Sequence, residues 1–507
     1  MAYFLGIDLG TSSVKVILID EKGKVIGKSS ENYPLHFPHP GWVEQNPEDW
    51  WNATKKALKK LILNSRVESS KIRGVGLSGQ THSTVVLDKD FSPLREAIIW
   101  MDQRSYSQVY SLKEKFGDNL YKITGLPTAT GFMAPSLLWL KENEPKTWDR
   151  IYKILLPKDY IRLKLTGEIA GDISDACGTL LLDTAKRKWS EEILEKLEIL
   201  KNWLPSLYES CEISGYVNKD GAEESALGRG TPVFAGGADQ VMGAVGNGIV
   251  EEGIGSSILG TGGQFLTCIN SPKIYPQGGL HTIPHALKGK WMLMGAILSG
   301  GICLDWFFRK ILKKEISFSP NLYETLFKEA SLVPPGSEGL LFLPYLKGER
   351  TPHLDPRARG AFIGLSLSHS RGHLLRAIIE GIIYALRDTK EKFEELEINL
   401  SYIVSSGKVG ESYLCRKIQA DIFNLPVVTL NVKEQSAYGA ALVASVGAGV
   451  FSGLKEACQR CLRIMERVEP SPENVEIYDQ YYGIYRSLYP CLKDVFHSLS
   501  QPGSRKL

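Results

Sequence analysis

YFLGIDLGTSSVKVILID, residues 3–20, alternates in the strand manner on either side of a Gly10-Thr11-Ser12 tip. It reads as strand, tight turn, strand, and EKGK at 21–24 turns the chain into a third strand. A second stretch, GSSILGTGGQFLTCI at 255–269, repeats the design around Gly260-Thr261-Gly262-Gly263. The two Gly-Thr pairs, at 10 and 260, stand about half of the 507-residue chain apart. This spacing suggests an internal duplication, two α/β lobes that each open with a glycine-threonine hairpin.

The remaining patterns fit that plan. Pro47 opens an amphipathic helix over 47–65, and IRGVGLSG and STVVLD read as strands. Residues 136–165 hold two helical patterns. TPVFAGGADQVMGAVGNG, 231–248, reads as strand, turn and Gly/Ala-rich helix. LSYIVSSGKVGESYLC, 400–415, places a glycine turn between a strand and a helix. Lobe boundaries at 1–248 and 249–450 follow, with a helical tail over 451–507.

Composition excludes several classes. Hydrophobic residues at 43% and charged residues at 23% rule out a disordered or fibrous chain. A net charge of +3 over this length argues against bulk binding of nucleic acid or membrane surfaces. The opening residues lack the basic segment of a secretion signal, and no stretch is apolar enough to span a bilayer, so a cytoplasmic protein is expected. Eight dispersed cysteines form no disulfide framework, and the single CxxC, Cys458 and Cys461, reads as two thiols one helical turn apart. Gly74 to Gly79 fits GxGxxG, but a strand pattern follows where a dinucleotide fingerprint needs a helix.

Chemistry concentrates at a few positions. A phosphate needs unobstructed backbone N–H groups, a hydroxyl, and often a carboxylate to hold Mg²⁺. Asp8 with the Gly10-Thr11-Ser12 turn offers all three, and Gly260-Thr261-Gly262 offers donors and a hydroxyl again. Two such turns from two lobes could clamp a triphosphate; each alone could equally be a structural turn. Asp239 ends the strand and begins the helix of the 231–248 run, where it could take a proton from a substrate hydroxyl or simply cap the helix. Gln80, Thr81, His82, Trp100, Asp102 and Arg104 supply the amide, imidazole, ring face and charges of a sugar site.

These pieces, in this order, resemble the FGGY carbohydrate kinases, and within them the xylulokinase branch. The resemblance runs from residue 3 to about 450 and rests on GIDLGTSSVKV, GWVEQNPEDWW, LSGQTHS, LLPKDYIRLKLTGE, TPVFAGGADQVMGAVGNG and LFLPYLKGERTPHLDPRARGAFIGL. It implies an α/β, two-lobed, actin-like ATPase fold with a ribonuclease-H-like core in each lobe, and ATP with Mg²⁺ in the cleft. It implies Asp239 as catalytic base and Asp8 and Asp239 as metal-side carboxylates. Thr11, Ser12, Gly260, Thr261 and Gly262 match the phosphate hairpins, and Gly300, Gly301, Asp305, Gly407, Lys408 and Ser412 match the nucleotide side. Gln80, Thr81, His82, Trp100, Asp102 and Gln240 fall at sugar-side positions.

Three positions depart from the family pattern. Thr81 stands for a methionine, Ser136 for a lysine, and Gly407-Lys408-Val409-Gly410 for an all-small adenine loop. The expected reaction is phosphorylation of a ketopentose hydroxyl, D-xylulose to D-xylulose 5-phosphate. Another sugar or polyol acceptor, or a non-catalytic sugar-binding relic, are the alternatives. No nucleic-acid or membrane partner is expected, and a homodimer is left open.

Overall fold

The chain builds the same sheet twice. In the computed structural model, which describes residues 1–313 and 320–500, the first sheet begins with β1 (Tyr3–Leu9), β2 (Ser13–Asp20) and β3 (Val25–Asn32). β4 (Ile72–Gly79) lies parallel to β1, followed outward by β6 (Pro232–Phe234) and, antiparallel to it, β5 (Ile213–Tyr216). The second sheet runs β7 (Ile254–Leu259), β8 (Gly263–Ile269), β9 (His281–Pro284) and β10 (Trp291–Ile297). β11 (Tyr402–Ser406) lies parallel to β7, then come β12 (Val427–Leu430) and antiparallel β13 (Ile464–Val468). The order β3-β2-β1-β4-β6-β5 is matched by β10-β8-β7-β11-β12-β13, with β9 added at the edge. Strand directions agree pair by pair, so the duplication expected from the two hairpins is present in the topology.

The helices that matter for the site follow the sequence pattern. α1 (Pro47–Ser65) starts behind Asn46, whose side chain accepts from the Glu48 N–H at 2.9 Å. α2 (Met133–Asn143), α3 (Pro157–Thr166) and the short α4 (Ile173–Cys177) build out the first lobe. α5 (Asp239–Gly246) leaves the end of the first half, and α6 (Gly301–Trp306), α7 (Arg371–Glu395), α8 (Tyr413–Phe423) and α9 (Gln435–Gly447) belong to the second.

The tail differs from expectation. It holds α10 (Leu454–Cys461), then strand β13, then α11 (Pro472–Leu499). β13 completes the second sheet, as β5 does the first, so residues 451–507 are not a purely helical appendage. Residues 501–507 of that expected tail, and 314–319 of the second lobe, lie outside the described residues.

The lobes are joined by an exchange of helices. α9, late in the chain, lies on the first sheet; a Cβ on Gly6 of β1 would overlap the carbonyl oxygen of Ala437, and one on Gly76 of β4 that of Ala440. Backbone meets backbone there, which is why small residues occupy both strands. α5 packs against α9, and Asn247 at its end donates from Nδ2 to Ser256 Oγ at 3.1 Å and Ser406 Oγ at 3.2 Å on the second sheet. Each half of the chain thus supplies a helix that ties it to the other half.

Candidate active site

Asp8 is the penultimate residue of β1, and parallel pairing sets it opposite Ser78 of β4. Ser78 Oγ donates to Asp8 Oδ1 at 2.8 Å. Burial pushes the Asp8 carboxyl above its ordinary value, against that hydrogen bond and the charge of Lys15. Lys15, on the return strand β2, is paired at 2.8 Å with Glu434 at the head of α9.

Asp239 opens α5. It is not the helix cap, because Ala238 holds that position; the Asp239 carboxylate instead accepts from the Gln240 N–H at 2.7 Å. Burial, and secondly the negative charge of Asp8, push its carboxyl up to about 7. The carbonyl of Asp239 accepts from Ser436 Oγ of α9 at 3.0 Å, so its backbone is held from across the lobe boundary.

The first hairpin tip is fixed by its neighbours. Gly10 N–H bonds the Ser13 carbonyl at 3.0 Å, and Tyr33 O–H closes on the Gly10 carbonyl. Trp100 Nε1 donates to Thr11 Oγ1 at 2.9 Å, which leaves the Thr11 proton free to be donated onward. Gln45 Nε2 donates to the Thr11 carbonyl at 2.8 Å and receives Gln80 Nε2 on its own Oε1 at 2.9 Å. Gln80 Oε1 is buried with no hydrogen-bond partner among the described residues. Ser12 is exposed at the tip.

The second hairpin is held as firmly. Gly300 N–H donates to the Thr261 carbonyl at 3.0 Å and Gly301 N–H to the Gly260 carbonyl at 2.8 Å. Gly260 and Thr261 are exposed, with Gly262 half-buried beneath them. The 407–410 loop lies against this hairpin; Gly407 has φ +83°, and a Cβ there would meet the Leu259 carbonyl oxygen at 2.5 Å. Val409 is 5% exposed and packs in the second lobe's core, while Lys408 is exposed. Asp305 is exposed on α6, and Ser412 caps α8 half-buried.

Of the residues expected on a sugar side, His82 has φ +72° and its ring lies 3.8 Å from that of Phe132, centroid to centroid. Its Nδ1 is 2.7 Å from the Gly178 carbonyl. A carbonyl only accepts, so Nδ1 carries the proton and Nε2 remains an acceptor. Burial lowers the His82 pKa to about 4, so the ring is neutral at physiological pH. Thr81 is buried beside it, and Gln240 is half-buried one residue past Asp239. Ser136 is fully buried within α2, its Oγ without a hydrogen-bond partner among the described residues.

Asp102 does something other than face a sugar. It is fully buried, and its oxygens accept from Val43 N–H at 2.6 Å, Arg104 N–H at 2.8 Å and the Arg104 guanidinium at 2.8 to 3.0 Å. Arg104 in turn stacks 3.8 Å from the Trp42 ring centroid. All its acceptor positions serve this internal network, which supports the loop carrying Trp100.

Several contributing residues carried no signal of their own. Ser78 matters through its register with Asp8, and Gln45 through its bridge between Thr11 and Gln80. Lys15 and Glu434 become partners only when the lobes meet. Among the described residues no group of three or more potential metal ligands forms. Two neighbouring carboxylates, both raised by burial, are what the site offers a cation. That suits Mg²⁺, which keeps most of its waters and takes one or two carboxylates plus substrate phosphates.

Both halves of the chain have counterparts among known proteins. Residues 3–246 match the N-terminal domain, and residues 255–448 the C-terminal domain, of the FGGY family of carbohydrate kinases. A curated relative, a xylulose kinase of Bacillus subtilis, is 40% identical over 496 residues, 98% of each chain. Among solved structures, a ligand-bound xylulose kinase from Lactobacillus acidophilus superposes with a TM-score of 0.92 at 28% identity, covering 99% of this chain and all of that one. A gluconate kinase from the same organism gives 0.91 at 28% identity, covering 98% of this chain and all of that one. Two duplicated sheets, paired glycine-threonine hairpins and matching family models over both halves therefore lead to one statement: the chain belongs to the FGGY family of carbohydrate kinases.

Proposed function

We propose that the protein transfers the γ-phosphoryl group of ATP to the terminal hydroxyl of D-xylulose, giving D-xylulose 5-phosphate and ADP. The observation that carries the chemistry is Asp239, a carboxylate poised near 7 beside Asp8 at the junction of the lobes. A sugar hydroxyl is a weak acid, so a base must take its proton as the O–P bond forms; positioned bases contribute typically 10²–10⁴-fold. Asp239 accepts that proton. The new O–P bond forms as the bond to the ADP oxygen breaks, and the glycine-threonine turns offer N–H and hydroxyl donors to the phosphate oxygens.

Asp8, with Asp239 close by, would hold Mg²⁺; when bound, the ion neutralises phosphate charge. Ser78 orients Asp8 for this. Neutral His82 offers Nε2 to a sugar hydroxyl, and Gln80 Oε1, buried without a hydrogen-bond partner among the described residues, is an acceptor two residues away in sequence. Closure of the lobes would exclude water, the competing acceptor.

The choice of D-xylulose rests on the 40% identity with the Bacillus subtilis relative, because xylulose and gluconate kinases superpose equally well on this fold. Burial of Val409 supports retention of the nucleotide, since that side chain turns into the core rather than toward the loop's open face. A coupled ADP-release assay across D-xylulose, D-ribulose, gluconate and glycerol tests the reading. D-Xylulose should give the highest kcat/KM by at least tenfold. Heat of sugar binding without ADP release would replace the kinase with a sugar-binding relic.

A further inference from the structure

LLPKDYIRLKLTGE, residues 155–168, contains α3 and carries ionisable groups that the proposed reaction does not use. Lys158, Asp159 and Arg162 of α3 are buried, as are Asp172 and Asp175 around the start of α4. Lys158 Nζ lies 2.6 Å from Asp159 Oδ1, 2.7 Å from Asp172 Oδ1 and 3.4 Å from Asp175 Oδ2. Arg162 Nη1 shares Asp159 Oδ1 at 2.5 Å. Taking an ion out of water costs roughly several kcal/mol, and apolar side chains of similar volume often serve stability as well or better. Stability alone therefore does not account for five buried ionisable side chains, and what they hold is more telling.

They grip both ends of the turn that leads into Asp239. Arg162 Nη2 donates to the Ala235 carbonyl at 2.5 Å. Three residues on, Ala238 N–H donates to Ser174 Oγ at 3.1 Å. Ser174 Oγ itself donates to Asp172 Oδ2 at 2.6 Å, and that oxygen also accepts from the Ser174 and Asp175 N–H groups at 2.7 and 3.2 Å. The hydroxyl proton is thus committed to a carboxylate, so the serine oxygen meets Ala238 as an acceptor. An ion pair, a charge-assisted hydroxyl bond and an amide bond run in one chain from Lys158 to Ala238, each polarising the next. Burial acts to lower the Lys158 pKa, but Asp159, Asp172 and Asp175 together raise it above its ordinary value, so the chain starts from a full positive charge.

Close packing leaves this turn little freedom. Gly237 lies opposite Ser78, and Ala238 opposite Gly79, on the other edge of β4 from Asp8 and Leu9. A Cβ on Gly237 would come within 2.7 Å of Ser174 Oγ, and one on Gly79 within 2.8 Å of the Lys158 Cβ. Asp239 follows directly. Among the described residues its carboxylate takes one hydrogen bond, from the Gln240 N–H, so the backbone behind it sets where its oxygens lie. We propose that Ser174, held by the Lys158–Asp172 ion pair, is a positioning residue that fixes Asp239 against the acceptor hydroxyl. The proposal rests on the kinase reading above and adds no chemical step to it. Its weight comes from geometry: an error of about 1 Å in the place of a reacting group can cost roughly 10²-fold in rate.

Ser174→Ala tests it in the full chain, since Asp172 keeps its bonds to the two N–H groups that start α4. With D-xylulose and ATP, kcat should fall at least about fivefold while both KM values stay within about twofold. Added to Asp239→Asn, the same substitution should lower the residual kcat by less than about twofold, because a residue that acts through Asp239 then has no base left to place. Hydrogen–deuterium exchange at the Ala238 amide should quicken at least about tenfold, a readout that needs no turnover. Unchanged kcat, an equal loss in both backgrounds, a loss confined to KM, or unchanged exchange at Ala238 overturns the assignment. Should Ser174→Ala fail to fold, judged by thermal melting, Asp172→Asn carries the same cycle. It leaves the hydroxyl an uncharged acceptor and should lower kcat at least about twofold, again only where Asp239 is present; an equal loss without Asp239 overturns the role. A wild-type protein inactive on every sugar overturns the kinase reading itself, and is seen before any variant is made.

Discussion

Asp239 gathers two effects on one carboxyl: burial first, then the charge of Asp8, both holding the proton on. As a base it must be deprotonated, so kcat/KM should fall with slope one as pH drops below about 7. Asp239→Asn should lose at least 10²-fold in kcat while still binding sugar, measured by steady-state kinetics and calorimetry. Asp8→Asn removes the charge that raises Asp239, so the acid limb of its residual activity should move to lower pH. An unmoved limb would mean that burial alone sets the value. The position of Asp239 at the junction of strand and helix was legible in the sequence, and so was the choice between base and cap. What excluded the cap was backbone geometry, Ala238 taking that place. Asp102 was not legible. Its neighbours in sequence suggest a sugar site, but only the fold brings Val43 N–H and the Arg104 fork onto both of its oxygens.

Among the elements, the glycine-threonine hairpins were the easiest to read. Their strands bury one face, and a tip of small residues interrupts a clear alternation. β13 was the hardest. Of its five residues Ile464, Met465 and Arg467 are exposed and Val468 alone is buried, so an edge strand of this kind shows no two-residue period to read. The 407–410 loop falls between. Its two side chains look like obstruction in the sequence, yet one enters the core and the other points to solvent. The residue that the loop cannot change is Gly407. Alanine there would pay for a left-handed backbone, about 1–2 kcal/mol, and press on the Leu259 carbonyl. Gly407→Ala should raise the KM for ATP severalfold and leave calorimetric sugar affinity unchanged.

At the scale of the whole molecule, α11 locks the second lobe. Tyr478 O–H donates to Glu380 Oε1 at 2.8 Å and accepts from Arg376 Nη2 at 2.8 Å, within a buried ion pair of 2.7 Å. Tyr478→Phe leaves those groups short of a partner, so chemical denaturation should show a loss of about 1–3 kcal/mol with kcat unchanged. The duplicated sheet order was foreshadowed by two tips half a chain apart. The exchange of helices was not, because α9 is apolar nearly all round and its sequence does not say which sheet it covers.

That exchange bears on how the protein is made. The strand holding Asp8 leaves the ribosome first, but the helix that shields its inner surface is synthesised more than four hundred residues later. Until then the nascent amino-terminal half carries a bare apolar floor, open to chaperones or to aggregation. A fragment cut at 248 should be insoluble when expressed alone and become soluble when residues 249–507 are co-expressed beside it.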